Sequence, residues 1–238
     1  MKKLLAVLLF STLYRFIQPC LAQDFGLSFS YFIPKKGYFS APISPFSIRG
    51  LGFDFNRNFA FETGATLYRI SGLSLKDLPF TYDGPLTGPN FTVFIPAELV
   101  LMLQAGSLEI DIKGGAFFFY AFDQHLQYGH LDRAIRNWQG WAVANTSANF
   151  KNYPGWGYHA GLELTFPVAQ NFGASLEANY LMGESRFPVK GSYTGGNTTI
   201  ETRDFDFADA KTDFTGMEFT VGVFYQTGRT AVRRKSRR

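Results

Sequence analysis

The stretch that decides the fold is Phe53–Ile70, FDFNRNFAFETGATLYRI. Phe53 and Phe55 alternate with Asp54. After Asn56-Arg57-Asn58, the residues Phe59, Phe61, Thr63, Ala65 and Leu67 alternate with Ala60, Glu62, Gly64, Thr66 and Tyr68. Successive side chains of a strand point to opposite faces, so a period of two predicts a strand with two unlike faces. Asn-rich punctuation between two such runs predicts a tight turn, and the whole reads as a hairpin. One face carries Phe and Leu, the other Asp, Glu and Gly. In a soluble protein the Phe face seeks a core; in a membrane barrel it meets lipid.

The rest of the chain weighs on that choice. Met1-Lys2-Lys3, the apolar run Leu4–Leu13 and the small-residue site ending in Ala22 read as a secretory signal peptide over residues 1–22. Cys20, the only cysteine, leaves with it, so the mature chain is expected to hold no disulfide. The formal charge of +4 sits at the ends. Setting aside three cations in the leader and six in the tail 227–238 leaves 4 − 3 − 6 = −5 for residues 23–226. The basic sequence pI therefore does not indicate a nucleic-acid-binding body. Aromatic residues make up 18% of the chain, yet no run approaches the roughly 20 apolar residues of a spanning helix.

Apolar-alternating runs recur at 25–33, 48–55, 59–69, 91–103, 108–122, 156–166, 172–182 and 217–225. Eight runs near the roughly 9–11 residues of a tilted membrane strand predict an all-β, eight-stranded antiparallel up-and-down transmembrane barrel. Their connections alternate between short (56–58, 104–107, 167–171) and long (34–47, 70–90, 123–155, 183–216). That asymmetry predicts short periplasmic turns at one end and long extracellular loops at the other. A lipocalin-like soluble barrel has the same alternation with the faces reversed. Secretion, strand length and aromatic strand ends favour the membrane. Pro96 is read as a local bulge or bend in its strand.

The face assignment names two sets of residues. Glu62, Glu98, Glu109, Asp111, Lys113, His159, Glu163, Glu177 and Glu218 are expected to point into the lumen, with Arg49 of uncertain parity beside Gly50. An eight-strand interior is just filled by side chains, and charges there must be paired or hydrated. Phe55, Phe59, Tyr120, Trp156, Phe166, Phe172, Tyr180 and Tyr225 are expected to form interfacial girdles.

Three stretches, GLGFDFNRNFAFETGATLY (Gly50–Tyr68), FTVFIPAELVLML (Phe91–Leu103) and GMEFTVGVFYQ (Gly216–Gln226), resemble the small outer-membrane β-barrel family common in Bacteroidota. This group is described as porin-family or outer-membrane β-barrel domain proteins. The chain is more distantly similar to the eight-stranded OmpX and OmpA barrels. The resemblance implies residence in the cell outer membrane, contact with outer-membrane lipids and lipopolysaccharide, and delivery by the barrel-assembly machinery. The chain departs from the usual aromatic end, since Tyr225 is followed by Gln226 and the basic tail.

The expected function is structural or surface-interacting, with a filled lumen and no cofactor, metal, nucleic-acid partner or catalytic residue. A narrow small-solute or ion channel is the first alternative and a lipid-modifying enzyme the second. Outer-membrane deacylases of this size use a His-x-Ser pair. Here the histidines read His125-Leu-Gln, His130-Leu-Asp and His159-Ala-Gly. Loops 123–155 and 183–216 are the expected contact regions. The alternation Thr199, Glu201, Arg203, Phe205, Phe207 suggests that the last two strands continue as a protruding hairpin.

Overall fold

The computed structural model describes residues 25–169 and 171–225. The expected signal peptide 1–22 with Cys20, the boundaries of the 23–226 segment and the basic tail 227–238 lie outside the described residues. Eight long strands form the wall: β1 (Phe25–Pro34), β2 (Gly37–Asp54), β3 (Phe59–Leu73), β5 (Asn90–Ala105), β6 (Leu108–Phe122), β8 (Gly155–Ala169), β9 (Phe172–Arg186) and β13 (Gly216–Tyr225). Each pairs antiparallel with the next, and β13 pairs with both β9 and β1, which closes the ring. The ring is closed, the arrangement in which strands can cross lipid, with β1 and β2 paired from Gly26–Ser28 to Ser47–Arg49.

Neighbouring residues on one strand decide which face is wet. On β5, Leu99 is 61% exposed while Glu98 is 2% exposed. Ile95 and Leu103 share the outward face with Leu99, as Leu176, Val221 and Val223 do on β9 and β13. Apolar outside and charged inside is the reverse of a soluble barrel. All eight girdle residues are exposed. Phe55 and Phe59 flank the β2–β3 turn, Phe166 and Phe172 flank the β8–β9 turn, and Tyr225 ends β13. Tyr120, Trp156 and Tyr180 lie towards the opposite end. Trp156 and Phe166 stand ten residues apart on β8. At about 3.3 Å per residue and a tilt near 40°, that is about 25 Å of height, the thickness of an outer-membrane apolar band.

Two expectations about strand two and Pro96 are corrected. Residues 34–47 are not a long loop. Only Lys35 and Lys36 turn the chain, and β2 starts at Gly37 and pairs with β3 from Leu73 onward. Pro42 and Pro45 mimic loop punctuation, but the strand carries them through a register irregularity between Pro42 and Ser47. Pro96 makes no bulge: Ile95, Pro96 and Ala97 keep unbroken register with Phe118, Phe117 and Ala116, and on the β3 side the ladder skips Gly64 and Ala65 opposite Pro96 and Ile95 without a register shift. The bulge is instead on β2, where the register with β3 moves by one residue between Ile48 and Leu51 and Gly50 sits at φ 76°. That left-handed conformation suits glycine.

Above the wall, the long connections are folded. They hold β4 (Leu75–Lys76), helix α1 (Tyr128–Gln139), β7 (Val143–Phe150), β10 (Val189–Gly196), β11 (Ile200–Phe207) and β12 (Lys211–Asp213). β11, β10 and β7 form a separate three-stranded sheet. The predicted extension of the last two strands is therefore replaced: β9 ends at Arg186, and the hairpin β10–β11 joins β7 rather than prolonging the wall.

Candidate functional site in the lumen and its cap

The half of the lumen nearer the short turns is a charged tier built around two cations. The Gly50 bulge explains how Arg49 reaches it. One extra residue reverses the strand's parity, so Arg49 is buried inside while Phe53, of the same odd number, is 42% exposed outside. Arg49 lies 2.5 Å from Glu218, 3.5 Å from Glu177 and 4.0 Å from Glu98. Tyr68 donates its hydroxyl to Glu218, and Asn179 donates to Glu177 at 2.8 Å and to Glu218 at 2.7 Å. Lys113 is the second hub, 2.5 Å from Glu163, 3.3 Å from Glu62 and 3.8 Å from Glu177. Register places Asp111, Glu163 and Glu177 side by side on β6, β8 and β9. Three adjacent carboxylates repel unless a cation lies among them, and Lys113 answers two of the three. One Asp111 carboxylate oxygen is buried without a hydrogen-bond partner. Beside it a cavity of about 60 Å³ is lined by Glu109, Asp111, Glu163 and Thr165, room for a few waters.

The other half of the lumen is an aromatic tier, which polar bookkeeping did not anticipate. Phe32, Tyr68, Phe94, Phe117, Phe119, Leu181 and Phe214 form one buried cluster. Phe214 is its centre although it belongs to no strand. It lies between β12 and β13, held by its N–H donating to Gly183 O at 2.9 Å, and is fully buried. Its ring stacks on Phe32 at 4.4 Å and Phe119 at 4.5 Å. Phe94 and Phe117 complete the ring around it. His159 sits where the tiers meet, buried against Phe94 and Phe117, and neither ring nitrogen has a partner.

The nine lumen candidates are all on the inward faces: seven join or border the two cation hubs, Glu109 lines the cavity, and His159 borders the aromatic tier. The residues missed are Arg49 as a hub, Tyr68, Asn179 and above all Phe214. A signal for the second tier was present on β6, where inward positions run Glu109, Asp111, Lys113, Gly115, Phe117, Phe119. The stripe changes from charge to ring half-way up.

The cap has its own core of Leu75, Phe80, Leu86, Leu126, Leu131, Ile135, Phe187, Tyr193 and Phe205, among others. α1 contributes Leu131, Ala134 and Ile135, the i, i+3, i+4 face of an amphipathic helix, and ends on Gly140 at φ 66°. Thr87 exchanges backbone hydrogen bonds with Leu73, tying the cap to the end of β3. His130 contacts Pro85 O at 2.7 Å through Nδ1, and Asp132 accepts from Thr146 N–H at 2.7 Å. Tyr82 donates to Leu75 O; burial raises its phenol above the usual range, which keeps the donor proton in place. Regions 123–155 and 183–216 are thus one packed unit rather than two loops, and His130 is a helical residue rather than a loop one.

No family model matches the chain, and no curated protein matches it. Several solved outer-membrane proteins are similar to it over most of its length, with TM-scores below 0.5. OprG from Pseudomonas aeruginosa is 16% identical over 86% of this chain and 95% of its own, with a TM-score of 0.45. A major outer membrane protein from Thermus thermophilus is 9% identical over 86% and 98%, at 0.43. Ail, the attachment invasion locus protein of Yersinia pestis, is 11% identical over 85% and 95%, at 0.39. Nothing in these likenesses ties the chain to the Bacteroidota type. Its own geometry, a closed eight-strand ring with an apolar exterior and a charged interior, is that of an outer-membrane transmembrane barrel.

Proposed function

We propose that the protein is a non-conducting integral outer-membrane barrel that holds a folded cap at the cell surface, with a structural or surface-interaction role. The supporting observation is double closure. The Phe214 stack fills one half of the lumen, two ion-pair hubs brace the other, and the cap covers the mouth. A pore needs a continuous wet path, and stacked rings at 4.4–4.5 Å leave none between them. On this reading the long-connection end is extracellular, the short turns and the small cavity beside Asp111 face the periplasm, and the barrel-assembly machinery inserts the chain. The reading is non-enzymatic: His130 is engaged with a backbone carbonyl, and His159 lies among Phe rings.

The test is planar-bilayer conductance of the refolded protein, with heat-modifiable gel migration as proof of folding. Boiled and unboiled samples are expected to migrate differently, and folded protein is expected to give no unitary current steps. Reproducible steps from folded protein would establish the channel alternative, and identical migration would remove the membrane barrel itself.

A further inference from the structure

The outer wall carries a groove of about 760 Å³ where the apolar band gives way to the cap. Its floor is Trp156, Tyr158 and Met182. Trp156 is 76% exposed and Tyr158 68%, the two most exposed aromatic side chains among the described residues. Register sets Tyr158 beside Met182 and Trp156 beside Glu184, so the floor is a continuous two-strand surface. Its upper rim is cationic: Lys35, Lys76, Arg186 and Lys211 all line it.

The charges on that rim divide into two kinds. Lys76 is held by Asp213 at 2.9 Å, and Lys211 by Glu184 at 2.9 Å and Asp77 at 3.3 Å. The hydrogen bonds to Glu184 and Asp77 raise the Lys211 pKa above the ordinary lysine value. Lys35 and Arg186 have no carboxylate partner among the described residues, and Arg186 instead lies over the Tyr153 ring at 5.5 Å. Met182, Glu184 and Arg186 share one face of β9. From Met182 to Arg186 is about 13 Å along a strand and about 10 Å in height, the step from acyl chain to head group. An apolar floor under a rim of spare cations is the complement of an anionic amphiphile. Guanidinium favours phosphate by its planar fork, and aromatic rings suit head-group depth.

We propose that this groove is a binding site for one outer-leaflet lipid bearing a phosphate monoester. Its phosphate is held by Lys35 and Arg186, and its chains lie on Trp156, Tyr158 and Met182. Glu184, which faces the same space, opposes the phosphate and sets a limit on affinity. The proposal rests on the barrel being embedded with its cap outward, which gel migration and surface proteolysis of the cap check separately.

The experiment is native mass spectrometry of the full chain, refolded in zwitterionic detergent with equal amounts of phosphatidic acid and phosphatidylcholine. One phosphatidic acid per barrel is expected to be retained in preference to phosphatidylcholine. K35A/R186A is expected to lower that retention by about tenfold or more, each cation near a head group contributing about a factor of five. E184Q is expected to raise it, and K190A, an exposed cap lysine outside the groove, to leave it unchanged. Inorganic phosphate at 10 mM, a probe level on the order of millimolar affinities, is expected not to displace the lipid. Equal retention of both lipids by the wild type overturns the proposal, which holds even if a variant fails to fold. Unchanged retention in folded K35A/R186A, or displacement by phosphate alone, overturns it as well.

Discussion

The two halves of the lumen are built from the same strands and the same inward parity, yet they are filled by opposite chemistry. Towards the short turns, Arg49 and Lys113 gather five glutamates. Towards the cap, Phe214 gathers other rings. The difference follows access to water. The charged half adjoins a cavity with room for solvent, so its carboxylates can be hydrated where pairing runs out. The aromatic half is roofed by the cap core, where an unpaired charge has no recourse. Inward in a barrel is therefore not a synonym for polar.

The contrast is tested most severely at Arg49. Arg49→Ala strands Glu218 without its cation in a closed space and leaves Glu177 only Lys113, at 3.8 Å. A loss of about 5 kcal/mol, the upper end for breaking a buried charge network, is expected in urea unfolding from lipid vesicles. Phe214→Ala removes the centre of the aromatic tier and leaves a cavity, at an expected cost of about 3–4 kcal/mol in the same assay. Were Phe214→Ala the costlier change, the rings rather than the ion pairs would be the main brace. Leu99→Ala on the lipid face gives the smallest expected effect, about 2 kcal/mol. Lipid flows into the space, so only the transfer term is lost and no cavity term is added. A Leu99→Ala loss matching that of Phe214→Ala would place Leu99 against protein rather than lipid.

Much of the wall was legible because alternation is a strong signal over ten or more residues. Phe53, Phe55, Phe59 and Phe61 face out and Glu62 in, as the opening hairpin implied. What escaped was set by features without a period. Arg49 is aimed by a single glycine, and the first half of β2 hides behind two prolines. Phe214 acts from a connection, where neither face nor period exists to be read. The α1 stripe of Leu131, Ala134 and Ile135 was readable in principle, but it is three residues long and sits among polar neighbours.

The position of Phe214 in the chain has a consequence for assembly. It precedes β13 by two residues, and β13 is the strand that joins β9 to β1. β13 also carries Glu218, the closest counter-ion of Arg49. Until this last segment docks, the nascent barrel has an open seam, an uncorked mouth and an arginine without its nearest carboxylate. All three are resolved by the same stretch of about ten residues at the end of the wall, so sealing, stoppering and charge neutralisation are one event rather than three.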